Sequence, residues 1–254
     1  MFTIVTSSRD PAGVSIKEAL SKLNIHENIF TTDTEIVNAN VSDLASEYFI
    51  FASMHRAKES RKTLSVHLPG NWDNAELGGK ARQLCNASAH LMKIAFLELN
   101  EIASRAKVPY EVTLEATHHG PLVNRPCFFI EMGPSEDEWK DKAAASVVAK
   151  TIFRTVERFR NISDEEEKWR VALGIGGNHY CSSFNKIELE EDFALSHICA
   201  KYTLKSLNEE MLKQAIERTE ERVEFVLLDW KGLGEQKERV LKLLDELNIV
   251  YEKV

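Results

Sequence analysis

The chain has 254 residues, 43% of them apolar and 28% charged, which suffices for one large α/β domain or a domain with a small appendage. Its net charge of −8 argues against a wholly basic nucleic-acid binder but leaves room for a local basic patch. No apolar run approaches the roughly 20 residues that span a bilayer, and the four cysteines (Cys85, Cys127, Cys181, Cys199) form no C-x-x-C pair, so a cytoplasmic protein with buried free thiols is expected.

The first residues, Met1-Phe2-Thr3-Ile4-Val5-Thr6, read as a strand without the basic and apolar regions of a signal peptide. Asp10-Pro11 and Gly13 mark a turn, after which Ile16, Ala19, Leu20 and Leu23 follow a helical spacing. Residues 24–44 are less regular, with a short strand expected around Asn28-Ile29-Phe30. Tyr48-Phe49-Ile50-Phe51-Ala52 is a continuous apolar run, as in a strand covered on both faces, and it ends at His55. Thr63-Leu64-Ser65-Val66 reads as a strand ending at His67. Ala81 to Ala106 reads as one long amphipathic helix.

Glu111-Val112-Thr113-Leu114-Glu115-Ala116-Thr117-His118-His119-Gly120-Pro121 opens as an alternating strand and stops at two histidines and a turn. With Cys127-Phe128-Phe129-Ile130-Glu131 it reads as a hairpin-like unit. A capping box at Ser135-Glu136-Asp137-Glu138 begins a helix to about Phe159, whose polar side carries Lys150, Arg154 and Arg158. Arg170 to Ile175 is a strand leaving through Gly174-Ile175-Gly176-Gly177-Asn178-His179-Tyr180. Phe193 to Cys199 suits a strand or a short helix. A second capping box at Ser206 starts a helix through Arg218, and strand 223–228, helix 236–247 and strand 249–252 close the chain. Strands and helices alternate at βα spacing, so the fold expected is α/β with a largely parallel, covered sheet in a single domain, 1–254. Residues 24–44 and 181–205 are the stretches that could form a small appendage.

Five of the eight histidines (His55, His67, His118, His119, His179) stand at or just past expected strand ends. Parallel strands would bring those ends to one edge, where open α/β sheets bind ligands. Neutral imidazole suits zinc, and a carboxylate such as Glu115 can complete a site. In an extended strand Glu115 and His119 would lie roughly 13 Å apart, too far to share an ion. Ligands would then come from different strands: His118 or His119 with His179, and His55 or His67. The other reading is a hydrogen-bonded set of histidines that touches substrate directly. Gly174-Ile175-Gly176-Gly177 lacks the third glycine of a dinucleotide fingerprint, so a Rossmann cofactor site is rejected. A G-x-S-x-G elbow is absent, which argues against a serine nucleophile. Thr117 is the hydroxyl placed to orient a substrate. The basic residues Arg56, Lys58, Arg61 and Lys62, and the stripe Lys150/Arg154/Arg158, are either solvated faces or contacts for a polyanion.

Ser53-Met54-His55, His67-Leu68-Pro69-Gly70-Asn71-Trp72, Glu115-Ala116-Thr117-His118-His119-Gly120-Pro121, Gly133-Pro134-Ser135-Glu136-Asp137-Glu138-Trp139 and Gly174-Ile175-Gly176-Gly177-Asn178-His179-Tyr180 together resemble the D-aminoacyl-tRNA deacylase family of archaea and plants. The resemblance covers nearly the whole chain in order. It departs from the family pattern at Cys181-Ser182, where Ala-Pro is usual, and at Ser196 before His197, where Gly is usual. It implies a three-layer α/β/α sandwich similar to peptidyl-tRNA hydrolase and nucleoside phosphorylase cores. It also implies a zinc-dependent hydrolase that splits the ester between a D-amino acid and the 3′ end of tRNA. On that footing, zinc-activated water attacks the ester, with Glu115 or a free histidine as base. The N–H groups around Gly176 and Gly177 would hold the oxyanion, beside Asn178. The terminal adenosine would sit near Trp72 or Tyr180, and the Lys150/Arg154/Arg158 stripe would take acceptor-stem phosphates. A monomer is expected. The rival readings are a zinc peptidase or nucleoside-processing enzyme of similar core, and a non-enzymatic tRNA-binding or metal-storage module.

Overall fold

The computed structural model describes residues 1–23, 25–58, 61–163 and 165–254. The strands are β1 (Phe2–Ser7), β2 (Asn28–Thr32), β3 (Tyr48–Met54), β4 (Thr63–His67), β5 (Gly70–Asn71), β6 (Gln83–Leu84), β7 (Glu111–Leu114), β8 (Cys127–Gly133), β9 (Arg170–Ile175), β10 (Phe193–Cys199), β11 (Phe225–Leu228) and β12 (Tyr251–Lys253). The helices are α1 (Pro11–Leu20), α2 (Ala89–Ala106), α3 (Glu136–Trp139), α4 (Lys142–Arg160), α5 (Ser182–Glu190), α6 (Glu209–Glu217) and α7 (Lys237–Glu246). The strand at Phe193 is the extended alternative of the two expected. Asn24, at the head of the irregular segment expected over 24–44, lies outside the described residues.

The strands form two principal sheets, ordered β2-β1-β3-β8-β4-β7 and β10-β9-β11-β12, with β5-β6 as a small ribbon. All pairings in the two principal sheets are parallel except β4 with β8, so the α/β fold has a largely parallel mixed sheet flanked by helices. The expected hairpin of β7 and β8 does not form, because β4 is inserted between them. Ser65 of β4 then sits level with Glu131 of β8 on one side and Thr113 of β7 on the other.

Alternation along β3, β4, β7 and β8 sorts side chains by face. Ile50, Ala52, Leu64, Val66, Leu114, Phe128, Ile130 and Met132 point into the main core, with Leu91, Ala95 and Leu99 of α2 and Val148 and Ile152 of α4. That core continues through Ala172, Leu195 and Leu227 of the smaller sheet. The opposite face of the smaller sheet buries Leu173, Ile175, Val226 and Leu228 against Met211 and Leu212 of α6 and Val240 and Leu244 of α7. The opposite face of the large sheet is divided. Phe49, Phe51 and Phe129 meet Ile36, Val41 and Val123, whereas Ser53, Thr63, Ser65, His67, Thr113 and Glu131 are buried and polar.

Three expected helix boundaries move for local reasons. Residues 83–84 form β6, and α2 begins only after Ser88, whose hydroxyl accepts the Leu91 N–H. The helix expected from Ser135 is two helices. Ser135 Oγ donates to Glu138 Oε2, and α4 starts afresh after Asp141, which accepts from the N–H groups of Ala143 and Ala144. The cap of α6 is Asn208 rather than Ser206, through its contact with the Met211 N–H. Among the described residues no helix is long and apolar enough to cross a membrane.

Candidate active site

The buried polar half of the large sheet is where the histidines converge. His67 closes β4, and the chain beyond β7 runs on beside it, with the Glu115 N–H donating to Val66 O at 3.0 Å. That extension leaves the large sheet and docks on the smaller one: the Ala116 N–H donates to His179 O at 2.8 Å and the Thr117 N–H to Ile198 O at 3.0 Å. His179 is thereby carried to Glu115. Ring centroids lie 4.2 Å apart for His67 and His118, 4.3 Å for His118 and His119, and 4.7 Å for His118 and His179. His55 is 6.4 Å from His179 by the same measure.

The reason for this convergence differs from the one expected. β4 runs against β3 and β8, so His55 and His67 do not share a carboxyl edge. They approach from opposite directions along the sheet and meet over Glu131, in the middle of the polar face.

Two buried carboxylates tie the imidazoles together. Glu115 lies 3.0 Å from His179 Nε2, 3.1 Å from His55 Nδ1 and 3.6 Å from His118 Nε2. Glu131 accepts a 2.6 Å hydrogen bond from Ser53 Oγ and lies 3.5 Å from His55 Nδ1 and 3.8 Å from His67 Nε2. Nε2 of His55 is 3.0 Å from the Tyr180 hydroxyl. The expected separation of Glu115 from His119 assumed extended chain. The backbone instead turns, with φ +44° at His119, and the two residues are linked through His118.

The charges divide. Burial alone would raise the Glu115 and Glu131 carboxyls, but contact with His179 for the first, and with His55 and His67 for the second, holds both below the usual carboxylate range. Burial acts against protonation of His55 and His67, yet the carboxylates raise both. Burial together with the charge of His67 lowers His118 well below its ordinary value and His119 to about 4. Both of these are neutral imidazoles, oriented by short contacts: His118 Nδ1 donates to Ala116 O at 2.8 Å and His119 Nδ1 to Gly120 O at 2.7 Å. Each Nε2 is therefore an unprotonated lone pair.

This donor set fits a metal ion. An Nε2 lone pair of His118 faces the Glu115 carboxylate at 3.6 Å with no proton between them. Among the described residues, both Glu115 oxygens and His67 Nε2 are buried without an aligned hydrogen bond. Three groups bring ligand atoms within 4.8 Å of one another: His67/His118/His119, Glu115/His118/His179 and His55/Glu115/Glu131. Without an ion, lone pairs and carboxylates gathered in this way are costly to bury.

A cavity of about 340 Å³ opens beside the cluster, with Thr117, His118 and His119 on its floor and Asp73, Leu77 and Tyr202 among its walls. Thr117 Oγ1 accepts from the Ile198 N–H at 3.0 Å and contacts Nδ1 of the buried His197 at 3.3 Å, and His197 Nε2 donates to Cys85 O. A second cleft, shared through Glu76 and Leu77, carries Arg9 and Arg56.

The other expected substrate contacts are placed elsewhere or are already engaged. Trp72 is 2% exposed, and its Nε1 donates to Ile198 O, so its ring faces are not open to an adenine. The Gly176 N–H donates to Cys199 O at 2.8 Å and cannot also hold an oxyanion. Gly177 packs against Gly232, and Asn178 contacts Ser182 at the start of α5. Arg158 pairs with Glu98 and Glu166, and Arg154 with Glu98 and Glu157. Only Lys150 of that stripe stands exposed without an ion pair among the described residues. Sequence reasoning passed over Glu131, although an acid inside an otherwise apolar, doubly covered strand was a usable signal. Tyr202, whose hydroxyl is 3.1 Å from His179 Nδ1, carried no local signal.

A layered α/β protein with imidazoles and buried carboxylates converging beside an open cavity belongs, by its fold and site, to the class equipped for proton-transfer or metal-assisted hydrolysis. Comparison with known proteins narrows that class. A family model described as D-aminoacyl-tRNA deacylase matches residues 42–252. A D-aminoacyl-tRNA deacylase of Thermococcus onnurineus is 39% identical over 88% of this chain and 82% of its own length. One from Pyrococcus furiosus is 34% identical with both chains fully covered. A crystal structure of a conserved protein of unknown function, AF0625, superposes with a TM-score of 0.88 at 31% identity, covering 100% of this chain and 95% of that one. The chain belongs to the D-aminoacyl-tRNA deacylase family.

Proposed function

We propose that this chain hydrolyses the ester joining a D-amino acid to the 3′ end of tRNA, using the histidine–carboxylate cluster with zinc as its cofactor. The observation that carries the reading is Glu115: buried, ionised, without an aligned hydrogen-bond donor among the described residues, and in contact with His55, His118 and His179. Glu115, His118 and His179 are the residues best disposed to hold the ion, a carboxylate with two imidazoles. Zinc bound there would polarise the ester carbonyl and acidify water.

The remaining groups have separate tasks. Glu131, fixed by Ser53, holds His55 and His67 in place behind the ligands. His119 lines the cavity with its Nε2 free to accept a proton from the attacking water. An imidazole held near pKa 4 is a weak base, but once protonated it is a strong acid, suited to returning that proton to the departing ribose oxygen. Thr117, expected to orient the substrate, instead ties the cavity floor to β10, its hydroxyl engaged by the Ile198 N–H and by His197 Nδ1. Arg9 and Arg56 share the adjoining cleft with Glu35, Glu76 and Glu136, but they are exposed and without ion pairs among the described residues, and so are better placed for tRNA phosphates than the paired arginines of α4.

The test is single-turnover release of amino acid from D-aminoacyl-tRNA by wild type, Glu115→Gln and His119→Ala. Loss of the chemical step with retained tRNA binding supports the reading. Full activity in both variants would overturn it.

A further inference from the structure

Few large apolar side chains are exposed among the described residues, yet two of them, Leu77 at 61% and Tyr202 at 54%, line the cavity that holds His118 and His119. They come from separate segments. Leu77 lies in the loop between β5 and β6, whereas Tyr202 follows β10. Both segments are anchored to the histidine cluster: the Gly120 N–H, beside His119, donates to Leu77 O at 2.8 Å, and the Tyr202 hydroxyl contacts His179 Nδ1. Asp73 and Glu76 are exposed on the same wall, which makes the cavity unfavourable for phosphate but neutral towards an uncharged ring.

We propose that Leu77 and Tyr202 form the subsite for the nucleobase of the 3′-terminal nucleoside, the base stacking on the Tyr202 ring while Leu77 covers the mouth. The inference rests on the reading that the ester cut here is that of aminoacyl-tRNA. The scissile bond is then one ribose away from a flat, uncharged base, which must lie within the same cavity. An exposed aromatic ring is the side chain that holds any base through its π-face. With Trp72 buried, Tyr202 supplies the accessible ring among the described lining residues. Because the same tyrosine touches His179, base binding also bears on the orientation of that imidazole.

The probes are two small esters of one D-amino acid, one with adenosine and one with a base-free ribose glycoside, assayed on the zinc-loaded full chain. Tyr202→Ala is expected to raise KM for the adenosine ester by about 5- to 100-fold, the range that loss of one base–aromatic stack produces. It should change KM for the base-free ester by less than about 3-fold, a difference too small for a lost stack. Tyr202→Phe keeps the ring and should keep KM, with any loss confined to kcat through His179. Leu77→Ser should raise KM for the adenosine ester alone. Equal rises in KM on both esters, or a KM for Tyr202→Phe as high as that for Tyr202→Ala, would overturn the proposal. If wild type hydrolyses D-aminoacyl-tRNA and these variants match it, only the subsite is wrong. If wild type does not, the functional reading itself fails.

Discussion

Glu115 Oε2 lies 3.0 Å from Nε2 of His179, and this contact joins a residue that extends the six-stranded sheet to one that leaves the four-stranded sheet. The site is thus shared between two sheets, and its geometry depends on how they dock. Glu115→Gln keeps the volume and removes the charge. It is expected to lower kcat by about 100- to 10,000-fold with little change in apparent tRNA affinity, because binding energy comes from phosphates and the terminal nucleoside. Zinc content after dialysis, read by mass spectrometry, should fall in Glu115→Gln and His118→Ala. Retention of wild-type zinc by both would remove them from the ligand set.

Gly120 fixes the histidine turn from behind. A Cβ there would lie 2.1 Å from Gly79 N and 2.6 Å from Val37 O, both backbone atoms that cannot swing aside. Gly120→Ala is expected to cost ~1–3 kcal/mol of stability, as overpacking does. It should also lower kcat by shifting His118 and His119. A thermal melt with the rate at saturating substrate checks both effects, and unchanged values would mean that the turn tolerates displacement.

The charge of the tRNA acceptor end gives a test of placement. Arg9→Ala with Arg56→Ala should weaken tRNA binding and flatten the log–log salt dependence by about one to two units of slope, one per phosphate contact. Lys150→Ala should leave that slope within error. The reverse outcome would return the phosphates to the α4 face.

A buried glutamate away from the site contributes to pH-dependent stability. Burial raises the Glu188 carboxyl to about 8 and lowers Lys93, whose ammonium donates to the carbonyls of Glu191 and Phe193. A carboxyl raised on folding binds more protons folded than unfolded. Stability therefore falls as pH rises from the ordinary carboxylate range to about 8, then levels off. Denaturant titrations of wild type at pH 5 and pH 8.5 should differ by roughly 1–3 kcal/mol from this group. Glu188→Gln should reduce the difference by that amount, and an undiminished slope in the variant would mean that other groups carry it.

Much of the fold is legible in local pattern. The apolar run Tyr48–Ala52 and the segment Arg170–Ile175 fall within or on observed strands because doubly covered strands must be apolar throughout. The direction of β4 is not legible. Thr63–Val66 reads the same in either orientation, and its insertion between β7 and β8 is a tertiary choice. That one choice explains both the failed hairpin and the meeting of His55 with His67 over Glu131. The histidines and Glu115 could be singled out from their positions near strand ends, whereas Tyr202 and the burial of Trp72 depend on how distant segments pack.

The most direct test of the account is deacylation of a matched pair, D- and L-aminoacyl-tRNA bearing the same amino acid, by zinc-loaded and by chelated protein. The zinc-loaded chain is expected to release the D-amino acid at least about 100-fold faster than the L, a gap of roughly 3 kcal/mol between transition states. Chelation should abolish that release, and added zinc should restore it. Failure of the zinc-loaded chain to release the D-amino acid would contradict the proposed activity, and a full rate in the metal-free protein would contradict the role given to zinc.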